Sequence, residues 1–149
     1  MANISFAKGL LTFEGSKIVQ EALVDVLVAT ERDVEYNVYF DEQKAREDLK
    51  KMDKLEISFS GSGRWSYHNN IEHLYQWITE DIRKGRIKGD KERIEDAWHF
   101  LETQDWMLIF DFDDCEPGLD VLYSEEVAIR HKKGERKGEI IVYNEVGYD

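Results

Sequence analysis

The sequence predicts an α+β fold: a ferredoxin-like split βαβ domain with an antiparallel sheet, helices on one face and a C-terminal β-hairpin extension. Three observations lead there. Segments of period-two alternation are separated by segments of helical period. Three of the strand segments alternate apolar with polar residues, the pattern of a sheet that packs one face on a core and turns the other to solvent. The order of segments gives two βαβ-like units with separated strands. No internal repeat or Pro/Gly/Ser-rich linker divides the 149 residues, so residues 1–149 read as a single domain.

Taken in order, Ile4–Phe13 mixes small, β-branched and aromatic residues and ends at Glu14-Gly15-Ser16, a strand followed by Ser16 as a helix N-cap. Ile18, Ala22, Leu23, Val26, Leu27 and Thr30 then fall at helical spacing and predict a core-facing helix. Val34, Tyr36, Val38 and Phe40 alternate with Glu35, Asn37 and Tyr39, a half-buried strand. Asp41 caps a charged peripheral helix with a thin stripe of Ala45, Leu49 and Met52. Leu55, Ile57 and Phe59 face inward on the next strand, which Gly61-Ser62-Gly63 ends or bulges. Trp65 and Tyr67 alternate and extend that strand over the core edge.

Asn69, with Glu72 three residues on, resembles a capping box and opens a helix carrying Ile71, Leu74, Tyr75, Ile78 and Ile82. That helix frays at Arg83–Gly89. Asp90 restarts a helix with Ile94, Ala97, Trp98 and Leu101 on one side. Trp106–Phe112 is the most hydrophobic strand, Glu116-Pro117-Gly118 turns it, and Val121–Arg130 and Glu139–Val146 form a hairpin across the basic turn HKKGERKG.

Charge narrows the function classes. Asp+Glu number 32 against 20 Lys+Arg, a net charge of −12, which disfavours direct nucleic-acid binding and favours basic protein surfaces. The stretch Gly89–Glu126 carries −11, whereas Arg83–Lys88 and Val127–Gly138 each carry +4. MANISFAKGL has no basic segment leading into a long apolar core, no run approaches the length of a membrane span, and Cys115 is the one cysteine. A cytoplasmic protein without membrane contact is therefore expected.

Two segments are candidate sites. The densest acidic run is Asp111, Asp113, Asp114 and Glu116, with Asp120, Glu125 and Glu126 beyond it; alternation puts Asp111 and Asp113 on the face opposite Phe110 and Phe112, about 7 Å apart along the strand. Such carboxylates can protect a strand from mispairing, present an acidic surface to a partner, or hold a divalent ion. The second is the loop Gly61–Asn70, in which Arg64, Trp65, Tyr67 and His68 precede a helix start and can line a ligand pocket. It matches neither a P-loop nor a dinucleotide fingerprint. His68 and His73 are five apart, not a helical metal pair, and no nucleophile elbow is present, so no catalytic residue, metal site or cofactor is assigned. Trp98 and Trp106 read as core; Trp77, beside the Ile71/Leu74/Ile78 stripe, is the aromatic placed at a protein interface.

The succession in Trp106–Tyr123 (WMLIFDFDDCEPGLDVLY) and the placement of Phe59–Trp65 ahead of a helix resemble YubB-like ferredoxin-fold domains of plasmids and phages. The resemblance implies a ferredoxin-like domain on a mobile element, in a family without an established activity, and assigns no functional residues.

The leading expectation is a non-catalytic acidic module that binds a basic, nucleic-acid-processing protein or a toxin, as an inhibitor of DNA-mimic, anti-restriction, anti-CRISPR or immunity type. Two alternatives stand beside it: a small-ligand or metal-dependent enzyme using the Asp111–Glu116 carboxylates with the Arg64–His68 loop, and a structural protein that forms homodimers through Val121–Val146.

Overall fold

Ser16 does what its position predicts. In the computed structural model, which describes residues 4–32, 37–64, 66–115 and 122–148, its hydroxyl accepts from the Val19 amide at 3.3 Å and separates strand β1 (Ile4–Glu14) from helix α1 (Lys17–Ala29). Val19, Leu23, Val26 and Leu27 are buried, while Ile18 in the first turn stays 66% exposed. The sequence pattern gives no hint of Gln20, which is buried within the same helix. Its Nε2 donates to the Gly15 and Asp53 carbonyls at 2.9 and 2.7 Å, and its Oε1 accepts from the Leu55 amide at 2.8 Å. One side chain thus ties the β1–α1 turn to the start of the next strand.

The expected strand over Val34–Phe40 does not form as a strand in its described part. Residues 34–36 lie outside the described residues, and of 37–40 only Tyr39 pairs, through reciprocal backbone bonds with Ser60 of 2.8 and 2.9 Å. The reason is local. Asn37 uses its side-chain Oδ1 rather than its backbone to accept from the Ser62 amide at 2.7 Å, and Asp41 immediately caps helix α2 (Glu42–Leu49) through the Lys44 amide. Only Ala45 and Leu49 of α2 are buried, as a peripheral helix requires; Met52 is exposed.

Strand β2 (Glu56–Arg64) runs straight through Gly61-Ser62-Gly63, in register with β1 from Thr12↔Glu56 to Ile4↔Arg64. Glycine serves here as space. A Cβ on Gly61 would lie 2.4 Å from the Asn37 carbonyl oxygen and 2.6 Å from the Tyr67 ring. Tyr67 is in turn not on the strand edge but is the first residue of helix α3 (Tyr67–Arg83), whose cap is Ser66 rather than Asn69. The Ser66 hydroxyl accepts from the Asn69 amide, and the Asp114 carboxylate accepts from the Tyr67 amide, so the free N–H groups are satisfied a turn earlier than the capping-box pattern suggests. Helix α4 (Lys91–Glu102) starts at the expected Asp90 cap and buries Ile94, Trp98 and Leu101. Asp25 of α1 holds the helical layer together, 2.8 Å from Arg46 of α2 and 2.9 Å from Arg93 of α4.

Strands β3 (Trp106–Cys115), β4 (Leu122–His131) and β5 (Glu139–Tyr148) complete one antiparallel sheet of order β2-β1-β3-β4-β5. Leu11, Phe13, Ile57, Phe59, Leu108, Phe110, Val127 and Ile129 share the buried face and form a single core with the helices. At the far end His131 is buried, its ring stacked on Trp106 at 5.0 Å and its nitrogens 2.7 Å from the Gln104 and Glu135 carbonyl oxygens, which fastens the β4–β5 turn to the start of β3.

The α+β class, the antiparallel sheet and the C-terminal hairpin are as expected; the strand order departs from the interlocked ferredoxin-like plan. That plan needs two crossovers that each skip a strand. Here only β2–α3–α4–β3 skips one, because β2 returns to pair directly with β1 and β3–β4–β5 is a simple meander. The single Tyr39 bridge leaves no further strand to complete a second split unit among the described residues.

Candidate functional site

Strand alternation divides the acidic run between the two faces of the sheet. Trp106, Leu108, Phe110, Phe112 and Asp114 of β3 point toward the helices, and Asp111, Asp113 and Cys115 point away. Across the ladder Asp111 stands beside Leu10 and Glu126, and Asp113 beside Lys8 and Ser124, whose hydroxyl donates to Asp113 Oδ1. The helix-free face carries Glu14, Glu56, Asp111, Asp113, Glu126 and Glu139 against Lys8 and Arg130. Phe6, Leu10 and Tyr143 are exposed on it at 55%, 38% and 50%. Among the described residues it is an acidic surface with exposed apolar side chains.

Asp114 and Glu125, expected on that acidic surface, are instead buried on the helix side, because each shares the alternation phase of Phe112 and its neighbours. Asp114 Oδ2 accepts from the Tyr67 amide at 2.8 Å at the start of α3, where the helix dipole favours a carboxylate. Glu125 Oε1 lies 3.3 Å from Nδ1 of His68, whose Nε2 is 2.9 Å from Glu72 Oε1. The acidic run and the aromatic loop, read separately in the sequence, therefore meet here. They meet as a clasp that fixes α3 onto β3 and β4.

The clasp has an electrostatic signature. The adjacent Glu125 carboxylate, opposed by partial burial and reinforced by Glu72, pushes the His68 pKa up to about 9. A histidine with a raised folded-state value contributes stability fully below the unfolded value of about 6.5 and loses it as pH rises through about 9. His68→Gln is expected to flatten the fall in melting temperature between pH 6.5 and 9.5 by about 3 °C, read from thermal melts across that range. An identical pH slope in the variant would overturn the assignment.

Of the other candidates, Glu116, Asp120 and Trp65 lie outside the described residues, as does the Arg64 side chain. Trp77 is half-buried, with the Arg32 guanidinium 4.1 Å over its ring and Arg32 itself bonded to Asp81 at 3.1 and 2.8 Å. It is engaged within the fold. Among the described residues no three His, Cys, Asp or Glu side chains converge as metal ligands, and no helix is long and apolar enough to cross a membrane.

These features define an α+β protein with a one-sided helical layer and an open acidic sheet face. No protein-family model matches the chain, and no curated protein or solved structure matches it either.

Proposed function

We propose that the chain is a non-catalytic protein-binding module whose open sheet face engages a basic surface of a nucleic-acid-processing protein in the cytoplasm, inhibiting it by offering carboxylates where phosphates would bind. The observation that carries this reading is the sheet face itself: Asp111 and Asp113 are exposed beside Phe6 and Leu10, with no helix over them among the described residues. Carboxylates there steer a basic partner and make association salt-dependent, while the apolar side chains supply area that is buried on contact.

The test compares the immobilised chain with its Asp111→Lys/Asp113→Lys variant. The native chain is expected to retain a basic nucleic-acid-binding protein at low salt and release it at moderate salt, and the variant to lose at least about tenfold in affinity, as expected when close charge pairs across an interface become repulsive. Both positions point to solvent, so the variant keeps its core. Equal retention by the two proteins at low salt would overturn the proposal.

A further inference from the structure

His131 ends β4 and is 1% exposed, and its ring makes two polar contacts of the same kind. Nδ1 lies 2.7 Å from the Gln104 carbonyl oxygen, and Nε2 lies 2.7 Å from the Glu135 carbonyl oxygen. A backbone carbonyl only accepts, so each contact needs an N–H on the ring. A neutral imidazole has one N–H and one bare lone pair, whereas the imidazolium has two donors. With a neutral ring, one of the two contacts would set a lone pair against a carbonyl oxygen in a buried site.

The surroundings suit a flat cation. The ring lies nearly parallel to Trp106 at 5.0 Å and to Tyr75 at 5.8 Å, within the distance at which an aromatic face attracts positive charge. The charged groups around it are of both signs. Glu14 of β1, Glu102 of α4, Asp105 and Glu135 favour the cation, and Arg130 of β4 with Lys132, Lys133 and Arg136 of the β4–β5 turn oppose it. Burial keeps the Tyr75 phenol of α3 protonated and neutral. None of these side chains is bonded to the ring, because the two carbonyls take up both of its nitrogens.

We infer that His131 is an imidazolium in the folded chain and that this charge latches the β4–β5 turn onto the corner between α4 and β3. Three links dock the turn there. The Lys133 amide donates to Asp105 Oδ1 at 2.7 Å, the Gly134 amide donates to the Glu102 carbonyl at 2.9 Å, and His131 bridges Gln104 to Glu135. Of the three, only the histidine can be switched by a proton near neutral pH. A ring that loses its second proton keeps the half-buried Gln104 carbonyl and gives up the exposed Glu135 carbonyl, which water can solvate. The turn then opens from the Glu135 side and carries with it Arg136 and Lys137, which share a groove of about 540 Å³ with Arg83 of α3. The latch therefore governs whether the two basic segments of this acidic chain meet.

Imidazole nitrogen NMR of the native chain at pH 7.5 reads the ring directly, with spectra of His68→Gln, His73→Gln and His99→Gln assigning His131 by elimination. Both His131 nitrogens are expected to carry a proton at a pH where an ordinary histidine is about nine-tenths neutral. A bare ring nitrogen at that pH would overturn the inference. As the pH is raised and the second proton leaves, amide exchange at Gly134, corrected for base catalysis, is expected to quicken about tenfold, the effect of losing one hydrogen bond. His131→Phe keeps a flat ring without donors and is expected to show that faster exchange already at pH 7.5. Gly134 protection that stays unchanged as the native ring loses its proton, or in a folded His131→Phe chain, would overturn the latch even with the ring charged.

Discussion

Replacing Tyr67 by Ala is expected to destabilise the protein by about 3–5 kcal/mol, the usual cost of emptying a large buried aromatic site. The residue is fully buried at the first position of α3, and its ring packs edge-on against Phe110 and Phe112 at 6.3 and 5.3 Å and lies tilted against Phe59 at 5.7 Å. Few neighbours can collapse into the space, because Gly61 and Gly63 have no side chains to fill it and Asn37 is fixed to Ser62. Tyr67→Phe separates the two parts of the effect. It keeps the ring but leaves the Asn37 carbonyl without the hydroxyl that donates to it at 2.8 Å, at a cost of about 1–2 kcal/mol. Burial, with the Asp114 charge adding to it, drives the phenol's pKa far up, so the hydroxyl remains a donor throughout the ordinary pH range. Urea unfolding of the two variants measures both terms. A loss under about 1 kcal/mol for Tyr67→Ala would show that the site relaxes, against the packing described.

The second large effect is expected at Gln20. Gln20→Ala removes three hydrogen bonds at once and strands the Leu55 amide and the Gly15 and Asp53 carbonyls where a core helix meets two strands. Buried groups left unpaired cost about 1–3 kcal/mol each where water cannot reach them, so a total of about 3 kcal/mol is expected. Gln20→Glu is the informative companion: it keeps the shape and the acceptor for Leu55 but loses the donors and places a charge in the core. It is expected to be at least as destabilising as Ala at pH 7 and to recover partly in acid, when the carboxyl regains a proton to donate. Melting temperatures at pH 4.5 and pH 7 test this, and a Gln20→Glu variant as stable as the native chain at pH 7 would contradict it.

What the sequence could and could not tell follows from the range of the interactions involved. Local chemistry was legible. Ser16, Asp41 and Asp90 cap helices because a short oxygen-bearing side chain at a helix start bonds an amide three residues on, and this needs no distant partner. The phase of β3 was legible too, since Phe110 and Phe112 set which side is buried and Asp111 and Asp113 follow on the other. Distant partners defeated the reading elsewhere. Tyr67 looks like a strand residue until Asp114, 47 positions away, supplies the carboxylate that lets α3 begin there. Asn37 looks like one member of an alternating strand until Ser62 takes its side chain. Gln20 sits among the apolar residues of α1 with no signal that three backbone groups from two other segments converge on it.

The acidic run shows the same limit from the other side. Asp111, Asp113 and Asp114 look equivalent as letters, and Glu125 and Glu126 are adjacent. Their roles diverge only because a strand turns successive residues to opposite sides of the sheet. Of the described acidic residues, Asp111, Asp113 and Glu126 lie on the helix-free face, whereas Asp114 and Glu125 belong to the clasp.

That division has a consequence for how such a molecule can change over generations. In β3 the odd-numbered positions from Met107 to Asp113 write the outward surface, and the even-numbered positions from Trp106 to Asp114 hold the interior and the start of α3. Substitutions at the first set can redraw charge and shape toward a drifting target without touching the second. A single strand thus separates what is free to diverge from what must be kept, residue by alternate residue.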